Sequence, residues 1–122
     1  MKNKFRFKEF KVYKDSKNFC KLCHDVVKGQ IKGKDNNLAL QIERAMNSVV
    51  LNIAEGSADL SDLEFARFLG ISIRSVYEVV AGFDLAVQYE LVSPDVNEKI
   101  EDDAVDLVKQ LSAFRRSLKN NV

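Results

Sequence analysis

Residues 48–65 read SVVLNIAEGSADLSDLEF: an aliphatic run interrupted by Asn52 and Glu55, a glycine at position 56, and a fresh helix-start signal at Ser61. Backward from Gly56, the apolar residues Leu38, Ile42, Ala45, Val49 and Ile53 recur every three or four positions, the period of one helical face, and Asp35, Asn36 and Asn37 are all good N-caps. This predicts a helix over about 37–57 with Gly56 as its stop. Forward from Ser61, Glu64 stands three residues on, as in a capping box. The stripe Phe65, Phe68/Leu69, Ser72, Val76, Val79/Val80, Phe83, Ala86/Val87 then carries a helix over about 61–91. Two long helices joined by a tight turn therefore form the centre of the chain.

The flanks repeat the pattern. A first helix over about 10–28 carries Val12, Ser16, Phe19, Cys23 and Val26 on one line and exits through Gly29 and Gly33. A fourth, over about 94–119, has Ser93 as cap, Pro94 at its first helical position, acids in its first turn, and the stripe Ile100, Ala104, Leu107, Leu111, Phe114, Leu118. Sustained 4, 3 spacing on four helices predicts an all-α fold, an antiparallel up-down four-helix bundle. At 122 residues, with 30% charged residues, 46% hydrophobic, five Gly and a single Pro, the chain reads as one domain over 1–122 with little loop. Period-2 runs and hairpin turns are missing. The longest uncharged helical run, Ala45–Ala54, falls short of the roughly 18 residues a membrane span needs, and no apolar leader follows Met1, so a cytoplasmic protein without membrane contact is expected.

One core face does not account for the second helix. Leu40, Leu51 and Ala54 lie nearly opposite the core line, and behind the stripe of the third helix runs a second line, Ile71, Ser75, Glu78, Gly82, Leu85, Tyr89. A helix apolar on both sides is normally buried on both sides. Self-association is therefore expected, with Leu40, Leu51, Ile71, Gly82, Leu85 and Tyr89 at the interface. Between the two faces of the second helix, Gln41, Arg44, Ser48, Asn52 and Glu55 fall within an arc of about 80° and form a polar seam. Its partners are expected from Ser75 and Glu78, with Arg44 pairing to Glu78 or to Glu55 of a neighbouring copy. The seam reads as an inter-helix or inter-subunit network, with a ligand site as the other reading.

Charge is unevenly spread. Residues 1–34 hold eleven Lys and Arg against three acids, a local +8, which leaves −7 for the rest of a chain whose total is +1. The basic arm (Lys2, Lys4, Arg6, Lys8, Lys11, Lys14, Lys17) reads either as a phosphate-binding patch or as a solvated face answering the acidic run Asp95 to Asp106. The motif CKLCH, with Cys20, Cys23 and His24, has the spacing of covalent haem attachment, and zinc or redox chemistry are further readings. Placed on the core line of a regular helix, the cysteines are expected to be packing residues, with no metal and no cofactor. No catalytic triad assembles around the lone His, and GQIKGK follows a helix instead of opening one after a strand, so it is no phosphate loop. The chain is not expected to be an enzyme.

QIERAMNSVVLNIAEGS (41–57) and FARFLGISIRSVYEV (65–79), with FKEFKVYKDS (7–16) as an opening helix, resemble the four-helix-bundle family of bacterial 23S rRNA intervening-sequence proteins. A related branch comprises the accessory proteins of diversity-generating retroelements, basic pentamers that bind nucleic acid and a reverse transcriptase. The matching positions are Gln41, Arg44, Ala45, Ser48, Asn52, Ala54, Glu55 and Gly56, then Phe65, Phe68, Leu69, Ser75 and Glu78. Glu43 stands where a basic residue is common, and Arg74 where a Gly is usual. The resemblance implies a ring-like homo-oligomer, a pentamer, with no enzymatic activity. It also implies RNA or a nucleic-acid-processing protein as partner.

Overall fold

The computed structural model describes residues 4–58 and 61–120. Four α-helices run through it: α1 (Lys11–Val26), α2 (Asn36–Gly56), α3 (Asp62–Gln88) and α4 (Pro94–Lys119), and no strand occurs among the described residues. A 3-10 turn at Arg6–Glu9 precedes α1, and a π-helical turn at Val27–Ile31 follows it.

Short polar side chains start the later helices. Asp35 accepts from Leu38 N–H at 3.0 Å, Ser61 from Glu64 N–H at 3.1 Å and Ser93 from Val96 N–H at 3.2 Å, each satisfying a donor that the first helical turn leaves free. The capping box at Ser61 is half-formed, because Glu64 turns to Arg67 instead, in an ion pair of 3.2 Å. The exit of α1 differs in part from expectation: Gly33, at φ 90°, turns the chain as expected, but Gly29 does not. The chain does not leave at Gly29 but widens into the π turn, whose extra residue brings Val27 and Ile31 into the core with no exposed surface.

The helices pack antiparallel around one core. Along α2 and α3 the contacts pair rising with falling numbers: Ile42 meets Gly82, Ser75 Oγ–H donates to Ser48 Oγ (2.8 Å), Ser72 Oγ–H to the Val49 carbonyl (2.9 Å), and Phe65 and Phe68 lie on Gly56. α1 closes the bundle against both neighbours. Cys20 donates to the Met46 carbonyl on α2, and Gln110 on α4 donates to Asp15 at 2.9 Å. At one end Phe10, Phe65 and Phe114 form a cluster with ring centroids 5.2 to 6.2 Å apart. The buried positions include Val12, Phe19, Ile42, Val49, Leu69, Val76, Phe83, Ile100 and Leu111, the stripes that the 4, 3 spacing predicts.

Two glycines do work other than ending helices. A Cβ on Gly56 would come within 2.7 Å of Phe68 Cβ and Phe65 Cδ1, so this residue, inside the last turn of α2, is there for close approach of α3 and not as a left-handed stop. A Cβ on Gly82 would meet Ile42 Cγ1 at 2.6 Å. Gly82 is therefore a buried contact between α2 and α3 and does not belong to the outer face where it was expected.

Candidate functional site

The polar seam lies in the groove where α2 and α3 meet. Its centre is a small hydrogen-bonded chain: Asn52 Nδ2 donates to the Ser48 carbonyl (2.8 Å) and to Ser48 Oγ (3.0 Å), and Ser75, bonded to Ser48, also reaches the Ile71 carbonyl at 3.0 Å. These three side chains satisfy one another where they are half or fully buried. The charged members behave differently. Arg44, Glu55 and Glu78, with Gln41, are exposed, and the Arg44–Glu78 ion pair expected within the chain does not form; the ion pairs of the described residues are Lys11–Asp15, Lys21–Asp25, Arg67–Glu64 and Lys99–Asp103. In a single chain the short polar residues carry the seam and the charges stand on its rim.

Around that rim sit large apolar side chains in water. Leu51 is 57% exposed, Tyr89 55%, and Leu40 and Leu85 45% each, while Ile71 is half-buried between them. At 100° per residue Leu40 and Leu51 point to the back of α2, about 160–180° from the Val49 line, where Leu51 also borders a groove with Cys20 and His24 of α1, whereas Ile71, Leu85 and Tyr89 lie about 80–120° from the Val79 line of α3. Of the six expected interface residues the structure thus leaves Leu40, Leu51, Leu85 and Tyr89 exposed and Ile71 half-buried, and it buries Gly82 between α2 and α3.

The basic residues divide. Arg6 is a structural clamp: its Nε and Nη2 donate to the Ser57 carbonyl at 3.0 and 2.9 Å, and its guanidinium lies 5.8 and 5.7 Å from the Phe10 and Phe65 ring centroids. It caps the C-terminal end of α2, where the helix dipole favours a cation. Lys11 is bound to Asp15 at 2.6 Å, and with Gln110 this holds the Asp15 carboxyl below its ordinary range. Lys17 lies over the Tyr13 ring. Lys4, Lys8 and Lys14 are exposed, and Lys2 lies outside the described residues. Lys14, Lys17, Lys21 and Lys28 fall within about 60° on the outer face of α1 and its π turn. Lys21, held by Asp25 at 2.8 Å, and Lys28 belong to the basic segment 1–34 but not to the residues singled out between positions 2 and 17.

Cys20, Cys23 and His24 do not converge. Cys23 is fully buried in the core, Cys20 is half-buried, and His24 is exposed. Burial pushes the Cys20 thiol up to about 12, and it pushes Cys23 up as well, aided by the charges of Cys20 and Asp103. Both are neutral thiols at neutral pH, the form that neither binds metal nor attacks a disulfide. Among the described residues no group of three or more His, Cys, Asp and Glu is placed to hold a metal ion. The metal, haem and redox reading is therefore not favoured. No described helix is long and apolar enough to cross a membrane.

A family model described as 23S rRNA-intervening sequence protein matches residues 8–113. A crystal structure of a protein of unknown function from the S23 ribosomal protein family of Bacteroides thetaiotaomicron VPI-5482 matches with a TM-score of 0.79. Its identity is 23%, over 85% of this chain and 97% of that one. At that identity the likeness speaks for the fold. No curated protein matches the chain significantly.

Proposed function

The chain belongs to the 23S rRNA-intervening sequence protein family, and from that premise we propose that it works without catalysis, as a self-associating helical scaffold that presents its basic first helix to RNA or to a nucleic-acid-processing protein. The observation that carries this reading is the outer surface of α2 and α3, where Leu40, Leu51, Leu85 and Tyr89 are exposed beside a polar seam whose Arg44, Glu55 and Glu78 take part in no ion pair among the described residues. Exposed apolar side chains clustered around specific polar groups are the composition of a protein interface. Covering that face with other copies buries the leucines and supplies partners for the charges. The resemblance puts the number of copies at five.

Self-association also explains how a chain with a net charge of +1 reaches RNA. One copy offers only a few free lysines on α1, but several copies place several such stripes on one particle, and weak phosphate contacts then add. Cytoplasmic location fits this role. Size exclusion with light scattering tests the assembly, and a monomer at micromolar concentration refutes it. RNA binding is tested by titration across salt: affinity should fall steeply with added salt, and Lys14→Glu with Lys17→Glu should flatten that dependence by roughly one unit of slope per lost phosphate contact. Binding unchanged by either leaves a protein partner as the scaffold's target.

A further inference from the structure

The exposed apolar side chains of the described residues occupy a second face as well. Between α3 and α4 runs a cleft of about 290 Å³, lined by Tyr77, Val80, Ala104, Val105 and Val108, with Glu101 and Lys109 along its α4 edge. Tyr77 is 65% and Val105 52% exposed. Ala104, small and buried, leaves depth between the valines and the tyrosine, which is the shape of a hole for one large aliphatic side chain. Glu101 accepts from Asn97 at 3.1 Å, yet neither Glu101 nor Lys109 takes part in an ion pair among the described residues.

We propose that this cleft receives α2 of a second copy, with Leu51 filling it, so that the chain associates head to tail. The proposal rests on the self-association reading and names its second surface. On α2, Arg44 precedes Leu51 by seven residues, about 10.5 Å, and Glu55 follows it by four, about 6 Å. In an up-down bundle α2 and α4 point the same way, and rotation about an axis along the bundle preserves that direction, so α2 of one copy runs parallel to α4 of the next. With Leu51 set against Val108 in that orientation, Arg44 comes level with Glu101, and Glu55 lies within a turn of Lys109. Both contacts join opposite charges. Reversing α2 instead sets Glu55 level with Ala104, within a turn of Glu101, and Arg44 level with Arg115, so that like charges meet.

The two surfaces differ, so the contact is heterologous: each copy offers α2 to one neighbour and the α3–α4 cleft to the other. A two-fold contact of α2 with α2 also opposes Arg44 to Glu55, but it leaves the α3–α4 cleft open to water. Glu101 separates the two arrangements.

Light scattering across a dilution series is the test. A wild-type chain that stays monomeric refutes the self-association reading, and this proposal with it. Given assembly, Glu101→Arg and Arg44→Glu should each raise the concentration for half-assembly by about tenfold or more, and the double variant should return it close to wild type. Indifference to Glu101→Arg, or no rescue in the double variant, overturns the head-to-tail contact while self-association stands. An independent check mixes a Leu51→Cys chain with a Val108→Cys chain, both carrying Cys20→Ala, under mild oxidation. A mixed disulfide in excess over either symmetric one is expected, and a dominant Leu51→Cys homodimer overturns the proposal in favour of the two-fold contact. Circular dichroism on every variant separates lost assembly from lost folding.

Discussion

Glu90 is held at φ 63°, the left-handed region. It follows the last turn of α3, where its N–H donates to Val87 at 2.9 Å and Leu91 N–H to Ala86 at 2.8 Å, a Schellman closure. That conformation costs a residue with a Cβ about 1–2 kcal/mol, and a carboxylate at the negative end of a helix dipole adds to it. Glu90→Gly should therefore raise stability by about 0.5–1 kcal/mol after the larger unfolded entropy of glycine is counted, read from the urea midpoint. The two thiols give a pH dependence. Cys20 and Cys23 have folded pKa values raised above the ordinary 9.0, so the neutral form they favour contributes stability that is complete below pH 9. That contribution declines as pH climbs from 9 towards 12. Chemical denaturation at pH 8 and pH 10.5 should show the loss, and Cys20→Ala should reduce it.

At the scale of elements, the stripes were legible because a helix repeats its core face every three or four residues: Phe19 with Cys23, Val49 with Ile53 and Leu107 with Leu111 are buried as their spacing requires. What could not be read was whatever depends on a distant segment. Gly56 looked like a helix stop because glycine serves that purpose often, and only the position of Phe68 shows it to be a site of close approach. The π turn at Val27–Ile31 is invisible to a 3.6-residue period, since it adds a residue to the turn. Arg6 looked like one more cation in a basic arm, while its partner, the Ser57 carbonyl, lies 51 residues away. This gives the arm two separable duties. Arg6→Ala should cost about 1–2 kcal/mol of bundle stability, for two hydrogen bonds and a cation over two rings, and leave RNA affinity unaltered. Lys14→Ala should do the reverse. Thermal melts beside a binding titration distinguish them, and a stable Arg6→Ala that loses affinity would return Arg6 to the RNA surface.

For the molecule as a whole, the α2–α3 face decides whether the unit of function is one chain or several. The interface expectation came from apolar residues off the core stripes, and Leu40, Leu51, Leu85 and Tyr89 stand exposed in the single chain. Leu51 is the most informative of them because it is 57% exposed and touches no core function. An exposed leucine contributes little to the fold of its own chain, so Leu51→Arg should change the stability of the dilute protein by no more than about 0.5 kcal/mol. In an assembly the same change buries an unpaired cation and should abolish association. Assembly stabilises the folded state by mass action, so the melting temperature of the wild type should rise with concentration over the micromolar range, whereas that of Leu51→Arg should stay flat and meet the wild-type curve at its dilute end. Two flat, coincident curves would mean that the face is solvated in solution, and the scaffold would then have to act as a single bundle. Curves that differ by a constant offset would place Leu51 in the stability of the fold itself, contrary to its position on the outside of α2.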